Sequence, residues 1–207
     1  MAILPSKFLA LSECSFDSTD ETYQPNGTGY NRATSKKAFS QVFDLELVTK
    51  KLTMETAFEL VAWLIDNTAG THGIFQIENP FNVLLPPLET NALVTREAIS
   101  ESAKAAPAQN FTGLIVGALK PGTFFNFGNH PKVYMVTNSP NANAAGQGTI
   151  TFTPACYEDV PAGTAINYGA NCLFQGSSKA DVQSLTASVA SGRRTPIVIP
   201  FKERGDD

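Results

Sequence analysis

Between residues 90 and 176, short strand-forming runs alternate with turn formers at close spacing, and this punctuation points to an antiparallel β domain. The runs are Leu93–Ile99, Gly113–Gly117, Thr123–Phe127, Lys132–Asn138, Thr149–Thr153 and Ala165–Tyr168. Together they predict a small barrel or sandwich. The clearest hairpin is Phe124 to Val136, with Gly128-Asn129-His130-Pro131 as its turn. At that turn His130 is expected to contribute little burial, so its replacement by Ala should be nearly silent. Ser139–Gln147 reads as a polar loop.

The flanks have a different texture. A strand is expected near Lys7–Leu11, followed by a long polar loop or arm over 12–40, rich in turn formers between Tyr23 and Tyr30. Such a loop is either pinned on its own domain or binds another chain. Phe43, Leu45 and Leu47 alternate with Asp44 and Glu46, the period of a strand with one buried face. A helix follows, with Thr53 as N-cap and Glu55 in its first turn. Ala57, Leu60, Val61 and Leu64 form its apolar stripe, and Met54, Phe58 and Ile65 are expected to widen it. Trp63 falls about 60° outside that stripe. Either a loop of the same chain covers it, or it anchors a contact with another subunit. Gly73–Glu78 returns as a strand, and Pro86-Pro87 marks a boundary.

Near the end, Pro196–Pro200 reads as a last strand that pairs with the N-terminal sheet. Arg193-Arg194 just before it is a solvated hairpin tip or a salt-bridging contact with a neighbour. The expected fold is mainly β, of the α+β class. Segments 1–88 and 177–207 build a strand–helix–strand sheet domain, and 89–176 is an inserted antiparallel barrel or sandwich. Excising about 90–175 should then leave the flanks folded.

Charge narrows the choice of partner. Charged residues make up only 16% of the chain, against an average of about 25%, which hints at surface that meets other chains. Net charge is −4, and neither half is basic enough to neutralise a phosphate backbone, so nucleic acid is a poor partner. No apolar run approaches the roughly 20 residues that span a membrane. The first residues lack a charged start and a long apolar stretch, so no signal peptide is expected. Cys14, Cys156 and Cys172 are widely spaced and suggest neither a metal motif nor a disulfide framework.

Catalytic constellations are equally scarce. His72 and His130 sit in different expected domains, Glu158-Asp159 reads as a solvated turn, and Gly113-x-x-x-Gly117 lacks the residues of a phosphate loop. No enzyme, cofactor or metal is expected.

One segment carries a family resemblance. Residues Lys120 to Thr137 are similar to K-x-G-D-(F/W)-(I/L)-x-F-x-x-H-x-K-V-Y-x-V in the distal tail and baseplate hub proteins of tailed bacteriophages. Phe43–Leu47, Leu52-Thr53 and Thr71–Phe75 resemble that family's strand, helix start and following strand, and Gly148–Pro154 with Val160–Ala165 its next hairpin. The likeness spans roughly 40–170; Thr123 departs from it, standing where the family often has Asp. It implies a non-enzymatic subunit of the virion tail, assembled in the host cytoplasm. That subunit would form a hexameric ring between the tail tube protein and the hub or receptor-binding proteins. From the residues themselves, Trp63, Tyr23, Tyr30, Arg193 and Arg194 are the candidate interface residues. A second reading is a carbohydrate-binding β module of the same kind of particle, with Tyr134 and Tyr168 at the sugar site.

Overall fold

A computed structural model describes residues 2–10, 13–20, 41–68, 74–178, 196 and 198–203. Twelve strands and one α-helix make up its main elements. Six strands form an open sheet in the order β1 (Ile3–Leu4), β4 (Ile74–Glu78), β11 (Leu173–Ser178), β12 (Val198–Glu203), β3 (Gln41–Val48), β2 (Ser15–Asp20). The other six close into a barrel in the order β10 (Ala165–Tyr168), β5 (Leu93–Thr95), β6 (Ala105–Gln109), β9 (Gln147–Thr153), β8 (Val133–Asn138), β7 (Phe124–Phe127). The structure is thus mainly β with an antiparallel barrel set into a sheet domain. The barrel, and not the sandwich, is the form adopted.

The sheet follows from its alternation. Phe43, Leu45 and Leu47 of β3 are buried while Glu46 is exposed. β12 repeats the pattern with Ile199, Phe201 and Glu203, and pairs antiparallel with β3 as the last strand was expected to do. Several expectations are corrected. Residues 6–8 form a 3-10 turn where a strand was expected, and the first strand is the pair Ile3–Leu4. The expected arm begins as strand: β2 runs antiparallel beside β3 from Ser15 to Asp20. Residues 113–117, read as a strand, form a turn-rich loop with Leu114 at φ 61°. The boundary at 176 cuts through β11, which lies inside the sheet between β4 and β12.

The helix α1 (Met54–Thr68) starts as expected, with the Thr56 N–H donating to Thr53 Oγ1 at 3.3 Å. Ala57, Leu60, Val61 and Leu64 are buried. Met54, Phe58 and Ile65 are exposed by 58%, 42% and 52%, so they do not widen the buried face. Trp63 lies instead on the inner flank, half-buried, with its ring edge-on to Phe75 at 5.6 Å. The buried arc therefore spans about 160° from Trp63 to Val61, shifted from the one the sequence suggested. Leu64→Ala should cost roughly 2–5 kcal/mol, and Trp63→Ala should also lower the stability of the isolated chain. Urea unfolding of both variants measures this.

Two cores meet in the β7–β8 hairpin. Phe124 and Val133 point into the sheet core, where Phe124 packs at 5.3 Å from Phe43 and 5.3 Å from Phe174. Phe125, Phe127, Tyr134 and Val136 point into the barrel core. Alternation along a strand sends neighbours to opposite faces, and here both faces are dry. All four residues of β7 are buried for that reason.

His130 is part of this packing and no loose tip. It is 7% exposed and stacks edge-on near Phe127, Tyr134 and Tyr157 at 5.8, 5.6 and 6.0 Å. Its Nε2 lies 3.3 Å from the Tyr134 hydroxyl. The low burial expected of a turn residue is overturned, because the barrel wall at 157–159 folds over the turn, with Asn129 Nδ2 donating to Glu158 and to the Asp159 carbonyl. His130→Ala should now cost about 1–3 kcal/mol, read as a lowered urea midpoint.

Candidate functional site

The strongest polar assembly ties the two domains together. Glu203 ends β12 on its buried face, and Lys132 stands just before β8 of the barrel. Their side chains are 1% and 4% exposed and meet at 2.6 Å. Glu203 Oε2 also accepts from the Phe43 N–H at 3.0 Å, and Oε1 accepts from the Val133 N–H at 2.8 Å. One carboxylate thus joins β12, β3 and the barrel hairpin. The Lys132 ammonium also lies 5.3 Å from the centre of the Phe43 ring. Sequence reasoning missed this pair, although Lys132 belongs to the segment that carries the family resemblance.

A groove of about 400 Å³ opens where the chain passes between the domains. One wall is the connection 82–93, with Pro86, Pro87, Thr90 and Asn91; the other is 165–171, with Asn167, Tyr168 and Asn171. Both walls are held firmly. Asn79 accepts from the Phe81 N–H at 3.0 Å and donates to the Gly169 carbonyl at 3.3 Å. Gly169 has φ +62°, and a Cβ there would sit 3.0 Å from Asn82 Oδ1 and 3.3 Å from Pro87 Cγ. Only glycine suits that close approach. The Tyr168 hydroxyl donates to the Asn91 carbonyl at 2.5 Å.

Glu89 is the other clamp. Its carboxylate accepts from the backbone N–H groups of Thr90, Asn91 and Thr112, and from the Thr112 hydroxyl. Burial works against the charged form, but these donors outweigh it and hold the pKa below the ordinary carboxylate value. Its contribution to stability is present above about pH 4.3 and is lost as pH falls through the lowered value. Burial pushes the Tyr168 hydroxyl up to about 12, and drives Tyr134 upward as well. Raised folded values mean that this contribution is complete below the unfolded value of about 10 and is lost as pH rises past it. The urea midpoint should therefore fall above about pH 10, and less steeply in Tyr168→Phe.

The candidate residues from the sequence are scattered. Trp63 packs inward. Tyr23, Tyr30, Arg193, Arg194 and His72 lie outside the described residues. Tyr134 is fully buried, with its hydroxyl accepting from the Tyr157 N–H at 2.9 Å, so it is closed to a sugar. Tyr168 is 9% exposed and lines the groove. Glu158 and Asp159 brace Asn129 and the Glu101 N–H. Cys14, Cys156 and Cys172 are buried free thiols.

Exposed apolar side chains gather in two other places. Leu114 and Val116 project from the 113–117 loop with 72% and 74% exposure. Backbone bonds from Leu114 N–H to the Asn143 carbonyl and from Ala142 N–H to the Ile115 carbonyl hold that loop. Met54, Phe58 and Ile65 line the outer side of α1. Among the described residues, no group of three or more His, Cys, Asp or Glu could hold a metal. No helix among them is long and apolar enough to cross a membrane.

No protein-family model matches the chain, and no curated protein is significantly similar to it.

Proposed function

We propose that the chain is a non-enzymatic structural subunit of a bacteriophage tail tip or baseplate. It forms a hexameric ring that joins the tail tube to the hub and host-recognition parts. The observation that carries this reading is the resemblance of residues 120–137 to distal tail proteins, supported by the work those residues do in the fold. Phe124 and Val133 serve the sheet core, Phe125, Phe127, Tyr134 and Val136 serve the barrel core, and Lys132 pairs with Glu203. The segment thus has two buried faces and an ion pair at the domain seam, an architectural role that suits a structural subunit. The exposed apolar side chains on α1 and on the 113–117 loop suit contacts with further chains. Head-to-tail contacts between copies close into a ring when the rotation permits. Negative-stain imaging and light scattering of the purified protein test the proposal. Sixfold rings support it, and a persistent monomer at high protein concentration rejects it.

A further inference from the structure

We propose that the groove between residues 82–93 and 165–171 is a binding site for a neutral, polyhydroxylated ligand, a saccharide of one or two rings. Its volume of about 400 Å³ lies in the range of small-molecule sites. The lining chemistry selects the ligand class. Asn171 is an exposed amide, Asn91 is exposed with one N–H given to Thr112 Oγ1 at 3.3 Å, Asn167 is half-buried, and Thr90 offers an exposed hydroxyl. Each amide both donates and accepts, the pattern that a ring of vicinal hydroxyls satisfies. Pro86 and Pro87 supply an apolar surface against which the C–H face of a sugar ring can lie.

Charge excludes the competitors. Among the described residues the lining holds no Lys, Arg or His to offset a phosphate or a carboxylate. Its single acid, Glu89, already accepts four hydrogen bonds from Thr90, Asn91 and Thr112. An organic cation therefore finds a carboxylate whose acceptor capacity is engaged. The walls are set before any ligand arrives: Glu89, the Tyr168–Asn91 bond and the Asn79–Gly169 bond fix both sides. Such preorganisation lowers the ordering entropy of binding. The described lining comes from one chain, so binding can be tested whether or not rings form.

The test uses the full chain, isotope-labelled, titrated with lactose, maltose and the disaccharide of N-acetylglucosamine, with inositol hexakisphosphate and glucuronate as anionic controls. At least one neutral disaccharide should shift amide signals of 89–93 and 165–171 at millimolar concentration, and the anions should not. Asn171→Ala should weaken binding about tenfold. Ala170→Arg, at an exposed position of the same wall, should abolish it while the urea midpoint stays unchanged. The inference is overturned if no neutral disaccharide perturbs these residues, if only the anions do, or if binding survives Ala170→Arg. A saccharide-binding monomer that makes no ring would reject the tail-ring proposal and leave this one standing.

Discussion

Excising residues 90–172 and joining the flanks with a short Gly/Ser link should abolish cooperative unfolding of the remainder. Even with β11 kept, the cut removes Phe124 and Val133 from the sheet core. A buried Phe lost to a cavity costs roughly 3–5 kcal/mol, and here the ring's neighbours Phe43, Phe81 and Phe174 would face water as well. The cut also strips Lys132 and the Val133 N–H from Glu203, leaving its carboxylate with the Phe43 N–H. These losses together approach the whole stability of an ordinary domain. Cutting at 176 would be worse, because Gly176 already sits inside a central strand. Circular dichroism with urea decides the matter: a sigmoidal transition in the excised chain would show that the sheet domain stands alone.

Glu203→Ala should be the most damaging single substitution, at about 3–5 kcal/mol. It leaves the Lys132 ammonium buried without its carboxylate, and the Phe43 and Val133 N–H groups without their acceptor. Lys132→Met should cost less, since those two N–H groups still bind the carboxylate. The double variant Lys132→Met/Glu203→Leu should recover part of the loss and no more. Replacing a buried pair by apolar groups is often neutral, but here two backbone donors stay unsatisfied. The wild-type pair is dry, so added salt should change the result little. A loss below about 1 kcal/mol for Glu203→Ala would mean that water reaches the pair.

Period and turn chemistry made part of this fold legible. β3 and α1 carry a periodic apolar pattern, the β7–β8 hairpin a turn signal between strand-forming runs, and each was located to within a few residues. β6 was missed because Ala105-Ala-Pro-Ala-Gln109 has no strand-forming side chains; Ala106 and Ala108 are buried where the barrel wall needs small groups. β11 was missed for a different reason. Phe174, Gln175, Gly176 and Ser177 are all buried, so no alternation survives, and a Cβ at Gly176 would sit 2.1 Å from the Lys202 carbonyl oxygen. The 113–117 run misled in the other direction, since Leu114, Ile115 and Val116 favour strands but cross between two glycines. At the candidate sites, period two through Ile199 and Phe201 places Glu203 on the buried face. The strand expected to stop at Pro200 hid that reading. The groove had no local signal, as its walls lie about 80 residues apart and only the closed barrel brings them together.

The sheet order has a consequence for how the protein is made. β12, the last described strand, is inserted between β11 and β3 rather than added at an edge. While the ribosome is still short of residue 203, both flanking strands present open edges and the Glu203 acceptor does not exist. Barrel strands β5 to β10 are complete by residue 168 and can close first. The sheet must wait until residues 198–203 have been made, at synthesis rates of about 5–20 residues per second. During that interval the nascent chain is most exposed to edge-to-edge pairing with its neighbours, and a stop codon before residue 198 would make that exposure permanent.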